Sequence, residues 1–203
     1  MPRVHTVNKA RKDYPSFGIK KGDRYYWWEF RYAGKRMSTT YPKASQLTTS
    51  AHKGGCYSIQ EQVERLTLEE IKNAYDVSEI VSDIESLRDE AQNSLDNMPE
   101  QLQQAPTGEL LQSRIDAMDQ WVSEFEGVDL EIDEDTFSNE AEEKAEEELG
   151  DAISWEEQNP DSKERYGDVR QARVDEIYEE KLDERAQEIL DALIDASQSV
   201  DVE

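Results

Sequence analysis

One cysteine, two histidines and no long apolar run are all that this 203-residue sequence offers to several common architectures. A lone Cys56 excludes an intramolecular disulfide and a cysteine-rich zinc site. No segment approaches the roughly 18 consecutive apolar residues of a membrane helix. The leader Met1-Pro2-Arg3-Val4-His5 is basic, but no apolar stretch follows it as in a secretory signal. These absences predict a soluble, cytoplasmic protein without a membrane partner. Hydrophobic residues make up only 35% and mean hydropathy is −0.94, so the expected globular core is small.

What the sequence has in excess is charge of one sign, unevenly placed. Residues 1–55 hold twelve Lys or Arg against three Asp or Glu, a net of +9. Residues 56–203 hold eleven against forty-five, a net of −34. Ten of the seventeen aromatics lie between Tyr14 and Tyr57. A basic, aromatic head precedes an acidic tail, an asymmetry that points to nucleic-acid contact or to an interaction tail.

Within the head, Tyr14-Pro15-Ser16-Phe17-Gly18 breaks any helix and Lys20-Lys21-Gly22-Asp23 reads as a turn. Arg24 to Tyr32 is rich in β-forming aromatics, Ala33-Gly34 makes a turn, and Lys35 to Tyr41 returns as a second strand. Alternation puts Tyr26, Trp28, Phe30 and Tyr32 on one face of this β-hairpin and Tyr25, Trp27, Glu29 and Arg31 on the other. A lone hairpin is marginal in water, so one face is expected to pack on a helix and the other to meet a ligand. Beyond Pro42, Ser45 is the predicted N-cap of a helix that Gly54-Gly55 interrupts or loosens.

The tail reads as helices. Val77, Ile80, Val81, Ile84, Leu87, Ala91, Leu95 and Met98 form one stripe, ended by Pro99. Leu110, Leu111, Ile115, Met118, Val122 and Phe125 form a second, with Trp121 at its border. The two predict an antiparallel helical hairpin with a narrow, coiled-coil-like seam. Residues 128–148 hold eleven Asp or Glu and one Lys, which predicts a solvated, partly disordered linker. A last helix over about 168–196 carries Val174, Ile177, Tyr178, Leu182, Ala186, Ile189, Leu190 and Leu193. It is free to pack on the hairpin or on another chain. The organisation is therefore a mainly α fold: a β-hairpin head (1–55), a helical hairpin (56–127), an acidic linker (128–165) and a C-terminal amphipathic helix (166–203).

Little here suggests catalysis. The usual base for a nucleophile is His. His52 and Cys56 are one helical turn apart, but the intervening glycines make that helix doubtful, so both read as unconstrained surface side chains. Nothing separates any pair of carboxylates from the crowd, and there is no Glu-x-x-His pair, phosphate loop or dinucleotide fingerprint. The expectation is a non-enzyme with no catalytic residue, cofactor or metal.

Binding has better candidates. Lys20, Lys21, Arg24, Tyr25, Trp27, Arg31, Lys35 and Arg36 interleave cations with aromatics. Cations neutralise phosphates and release counterions, aromatics stack on unpaired bases, and a two-stranded ribbon fits a major groove. The same pattern also suits a protein partner, a mini-core, or the acidic tail of this chain or of another copy. The tail reads as a spacer or oligomerisation element, or as an acidic mimic of nucleic acid that occupies a DNA-binding protein.

The residues Lys12-Asp13-Tyr14-Pro15, Lys20-Lys21-Gly22-Asp23, Tyr25-Tyr26-Trp27-Trp28, Gly34-Lys35-Arg36 and Ser45-Gln46-Leu47-Thr48 resemble the head of a group of small bacteriophage proteins without an established activity. Asn97-Met98-Pro99-Glu100 and Thr107-Gly108-Glu109-Leu110-Leu111 resemble that group's hairpin connector. The resemblance spans roughly residues 1–130 and implies a phage or prophage source and a host-cell setting. The strands also resemble the basic three-stranded arm-binding domain of tyrosine recombinases, though no recombinase catalytic domain follows. The function expected is that of an accessory protein. Its head binds nucleic acid and its acidic helices contact a protein or further copies of itself. An inhibitor of a host factor and a virion or assembly component are the alternatives.

Overall fold

The aromatic run of the head is the central strand of a three-stranded antiparallel sheet in the computed structural model, which describes residues 1–159 and 165–200. Strand β2 (Tyr25–Phe30) pairs with β3 (Gly34–Ser38), but the turn falls at residues 31–33: Arg31 and Tyr32, expected in the first strand, lie in the turn, and Gly34, at φ 75°, already pairs with Phe30. The central strand pairs on its other side with β1 (His5–Val7), a strand that the hairpin reading does not include. Register puts Trp27 opposite His5 on one side and Met37 on the other, and Trp28 opposite Arg36.

Each face of this sheet is covered. Tyr25 packs with Ala10 and Ile19 from the loop between β1 and β2, flanked by Val7, Tyr14, Trp27 and Met37. Two backbone bonds close that loop: Ala10 N–H donates to Asp23 O, and Gly22 N–H to Ala10 O. On the opposite face Trp28 is only 3% exposed, and its indole N–H donates to the Gln46 carbonyl at 3.2 Å. Ser45, expected to cap a helix, instead lies in a 3-10 turn (Ala44–Leu47). Both its N–H and its hydroxyl donate to the Glu61 carboxylate, tying head to tail.

Helix α1 (Ala51–Val63) begins at Ser50, whose hydroxyl accepts the Lys53 N–H, and runs unbroken through Gly54-Gly55. The expected interruption does not occur because α1 packs closely on its neighbour there. A Cβ on Gly55 would stand 2.5 Å from a Leu87 methyl. Helix α2 (Leu68–Lys72) is short, with a capping box between Thr67 and Glu70. Helices α3 (Ser78–Asp96) and α5 (Pro106–Glu126) form the predicted hairpin, joined through the single turn α4 (Glu100–Gln103).

The core is larger than composition suggests. Cys56, Ile59 and Val63 of α1, Ile71 of α2, Ile80 and Ile84 of α3, and Met118, Trp121 and Phe125 of α5 form one cluster. It is closed by Ala186, Ile189, Leu193 and Ala196 of the last helix, α8 (Tyr166–Gln198), and by Val200, two residues beyond its end. Few apolar residues suffice because each sits on a helix face that meets another helix. Trp121, placed by the stripe at a border, is fully buried because α5 faces α8 as well as α3; its indole N–H donates to Ala196 O at 2.9 Å. Leu110, placed in the stripe, is 44% exposed.

The acidic run is not a linker over its described length. Residues 134–149 form α6 (Glu134–Leu149) and 152–158 form α7 (Ala152–Gln158); residues 160–164 of that expected linker, and 201–203 of the expected last segment, lie outside the described residues. Asp133 caps α6 by accepting the Thr136 N–H and hydroxyl, which also holds its carboxyl below the usual range. Ala141 and Ala145, one turn apart, are fully buried against Val174 and Ile177 of α8. Carboxylates near the α6 C-terminus oppose the helix dipole, and α8 answers them. Arg173 pairs with Glu148 at 2.7 Å and Arg170 approaches Glu142 and Glu146. Lys181 pairs with Glu140, about two turns before Glu148.

Candidate nucleic-acid interface

The eight residues singled out in the head do not converge on one face. Tyr25 is 6% exposed within the small sheet core, so its ring is closed to a ligand and the expected stacking role is withdrawn. Trp27 is half-buried and both of its ring faces are taken. The imidazole of His5 stacks on it at 4.2 Å and 13°, and Lys35 Nζ stands 3.9 Å from its centroid. Two groups that close share one indole only from opposite sides, as expected for side chains from the two flanking strands. Alternation separates Tyr25 and Trp27 from Trp28 correctly, but it also places Arg31 on a strand face although that residue lies in the turn, and it gives no sign of the loop at residues 8–23 that occupies one face.

The cations are all available. Lys20 and Lys21 are exposed in a turn built by backbone rather than by their ammonium groups. Lys20 N–H donates to Asp23 Oδ2 at 2.8 Å and Lys21 N–H to Asp13 Oδ1 at 2.6 Å. Arg24 lies 5.5 Å from the Tyr26 centroid and Arg31 lies 5.2 Å from that of Tyr32, each exposed. Lys35 and Arg36, adjacent on β3, point to opposite faces of the sheet. The head therefore presents its positive charge around the sheet rather than as a single stripe.

That charge is uncompensated. Among the described residues, none of the ten Lys and Arg from Arg3 to Arg36 lies within 4.0 Å of a carboxylate oxygen as an ion pair. The later part of the chain behaves oppositely. Lys43, Arg65, Lys72, Arg88, Arg170, Arg173, Lys181 and Arg185 each pair with Asp or Glu. Among the described residues the one ion pair between the basic head and the acidic tail of the same chain, one of the expected uses of this charge, is Lys43 with Glu61 at 4.0 Å; the ten cations up to Arg36 take no part in such contact.

Three aromatics outside the eight singled-out residues are accessible: Tyr32 at 88%, Tyr41 at 63% and Phe17 at 40% exposure. Phe17 stands on a 3-10 turn, Pro15–Phe17, ended by Gly18 at φ 65°, so the Pro-Ser-Phe-Gly string is its signal. With Phe30 and Arg36 it borders a hollow of about 680 Å³ between the sheet and α1.

The His52–Cys56 pair is close after all, with Cys56 Sγ 3.9 Å from His52 Nε2, because α1 continues through the glycines. Cys56 is 1% exposed, however, not a surface side chain. Burial pushes its thiol up to about 11, and burial together with Arg114 and Lys53 holds the His52 imidazole below its usual value. Both shifts favour neutral partners, the reverse of an activated thiolate–imidazolium pair. Among the described residues no group of three or more His, Cys, Asp or Glu is disposed to hold a metal ion. No helix there is long and apolar enough to cross a membrane. No protein-family model, curated protein or solved structure matches the chain.

Proposed function

We propose that the chain is a non-enzymatic accessory protein of phage type, acting in the host cell. In this reading the basic head binds nucleic acid, and the acidic helices contact a protein partner or further copies of the chain. The observation that carries it is the ion-pair asymmetry. Among the described residues, ten cations of the head are without carboxylate partners, in a sequence with 48 Asp and Glu. Lys and Arg without ion-pair partners, arrayed around a small sheet, are suited to phosphate, because neutralising phosphates releases counterions. Base contacts are left to the exposed aromatics Phe17, Tyr32 and Tyr41.

The test is a salt series of DNA and RNA binding by the full chain and by a Lys20→Gln, Lys21→Gln, Lys35→Gln, Arg36→Gln variant. The two turn lysines act structurally through backbone N–H groups, so the variant keeps the fold. Binding should fall at least about tenfold, and the slope of log K against log salt should flatten by about 0.7–0.9 for each phosphate that is no longer neutralised. Unchanged binding by the folded variant would sink the assignment.

A second reading, an acidic mimic of nucleic acid that occupies a host DNA-binding protein, is favoured by the order of α6. Carboxylates four apart on a helix rise by about 6 Å, and α6 with α8 holds such rows on a fixed surface instead of on a loose tether. On that reading the same titration returns no nucleic-acid binding by the unmodified chain.

A further inference from the structure

We infer that the N-terminal end of α1 is a seat for single-stranded nucleic acid. An unpaired base enters the hollow between the sheet and α1, and the adjoining phosphate lies between the first turn of α1 and Arg114. The inference rests on the reading of the head as a nucleic-acid binder, and narrows it from any strand to an unpaired one.

The hollow is the first support. At about 680 Å³ it falls within the range of sites that take small flat ligands. Phe17 and Phe30 offer ring surface there, Arg36 supplies a cation, and Ser and Thr side chains from residues 45–50 supply polar atoms. No Asp or Glu lines it. In so acidic a chain that is a selective absence, since two other hollows are lined by Glu124, Asp129 and Asp195, and by Glu61 and Glu64.

Arg114 is the second and independent support. Ser50 and Ala51 line both this hollow and a smaller one of about 230 Å³, which reaches His52 and Arg114 on the other side of the helix end. The Nε of Arg114 is buried without a hydrogen-bond partner. Among the described residues Arg114 forms no ion pair, unlike most cations of the tail. Arg114 lines the smaller hollow, and a phosphate oxygen is an acceptor that a guanidinium without an ion-pair partner fits well. The one carboxylate lining this smaller hollow, Glu90, is exposed. Ser50 caps the N–H of Lys53, and the first-turn N–H groups of Ala51 and His52 have no intrahelical acceptors.

Geometry selects the single strand. In a duplex the bases are stacked and paired inside, and no base can enter a concave site between a sheet and a helix. A flexible strand can turn one base in while its backbone follows the cations.

The experiment compares binding of the full chain to labelled oligothymidylate and to the same strand annealed to oligoadenylate. The unmodified chain should prefer the single strand by about tenfold or more, in line with one or two bases stacked on aromatic rings. Ala51→Glu places a carboxylate at the mouth, at an exposed position where the helix dipole favours it, and Arg114→Gln removes the cation that lines the smaller hollow. Each should weaken single-strand binding at least about fivefold while leaving duplex binding unchanged. Thermal melting checks that both stay folded, and Phe17→Ala, at an exposed position, serves if either does not. Equal or tighter binding of the duplex by the unmodified chain overturns this inference alone. So does single-strand binding unaffected in the folded variants. Binding of neither probe overturns the broader reading with it.

Discussion

Trp27 and Trp28 are neighbours in the chain and alternation alone separates them, yet the pattern marks Trp27 as open to a ligand when both of its ring faces are occupied. Period-two alternation sorts side chains into faces, but which face stays open depends on what else arrives there. The loop carrying Ala10 and Ile19 covers one face, and the Ala44–Leu47 turn covers part of the other. The cations are easier to read. Lys and Arg are almost never fully buried, so Lys20, Lys21, Arg24, Arg31, Lys35 and Arg36 were bound to be accessible, and only their dispersal around the sheet needed three dimensions. Cys56 is harder, because two glycines argue against the helix that buries it. Its burial yields a direct prediction. With its thiol raised to about 11 and 1% exposed, Cys56 should not react with Ellman's reagent in the folded chain at neutral pH. It should titrate as one thiol per chain in denaturant. Rapid reaction of the native protein would show that α1 does not pack as described.

Helices with eight-residue apolar stripes are legible in the sequence, and α8 buries six of the eight residues assigned to its stripe. Helix α6 is not, because its buried seam is two alanines and its composition is that of a solvated tract. What fixes it is an aspartate cap and cations on a helix distant in sequence, and no local pattern displays a partner of that kind. Strand β1 is three residues long and escapes for a similar reason, since its partner lies some twenty residues on. Gly54-Gly55 exposes the same limit from the other side. Glycine inside a helix reads as a flaw, whereas Gly55 is where α1 and α3 approach closely. Gly55→Ala should destabilise the chain by about 1–3 kcal/mol through overpacking against Leu87. Adding Leu87→Ala should then cost less than it does as a single change, because the new methyl fills part of the space. Urea denaturation of the two single variants and the double variant measures that coupling, and strict additivity would argue against the close approach.

Across the whole molecule, two electrostatic effects oppose one another. Ion pairs across the α6–α8 seam weaken as salt rises, since Glu148, Glu140 and their partners lie near the surface. Repulsion among the surplus carboxylates weakens too. Residues 56–203 carry 34 more acids than bases, whereas the seam contributes only a few exposed pairs worth about 0–1 kcal/mol each. Screening of repulsion should therefore win, and the melting temperature of the full chain should rise between low salt and about 0.3 M, where the screening length is well under 10 Å. A falling melting temperature would place more of the stability in the seam than its geometry suggests.

Helix α8 has a consequence in time as well as in space. It supplies Ala186, Ile189, Leu193 and Ala196 to a core whose other walls come from residues 56–125, and its Ala196 carbonyl satisfies the buried indole of Trp121. During synthesis the head and the α3–α5 hairpin leave the ribosome first, with one wall of that core missing. Until residues near 200 emerge, Ile59, Met118 and Phe125 have no lid, while the sheet can already close on its own loop. The nascent chain is then a finished basic head on an unfinished body, and the acidic segment that follows keeps that body dispersed by charge until α8 arrives to complete it.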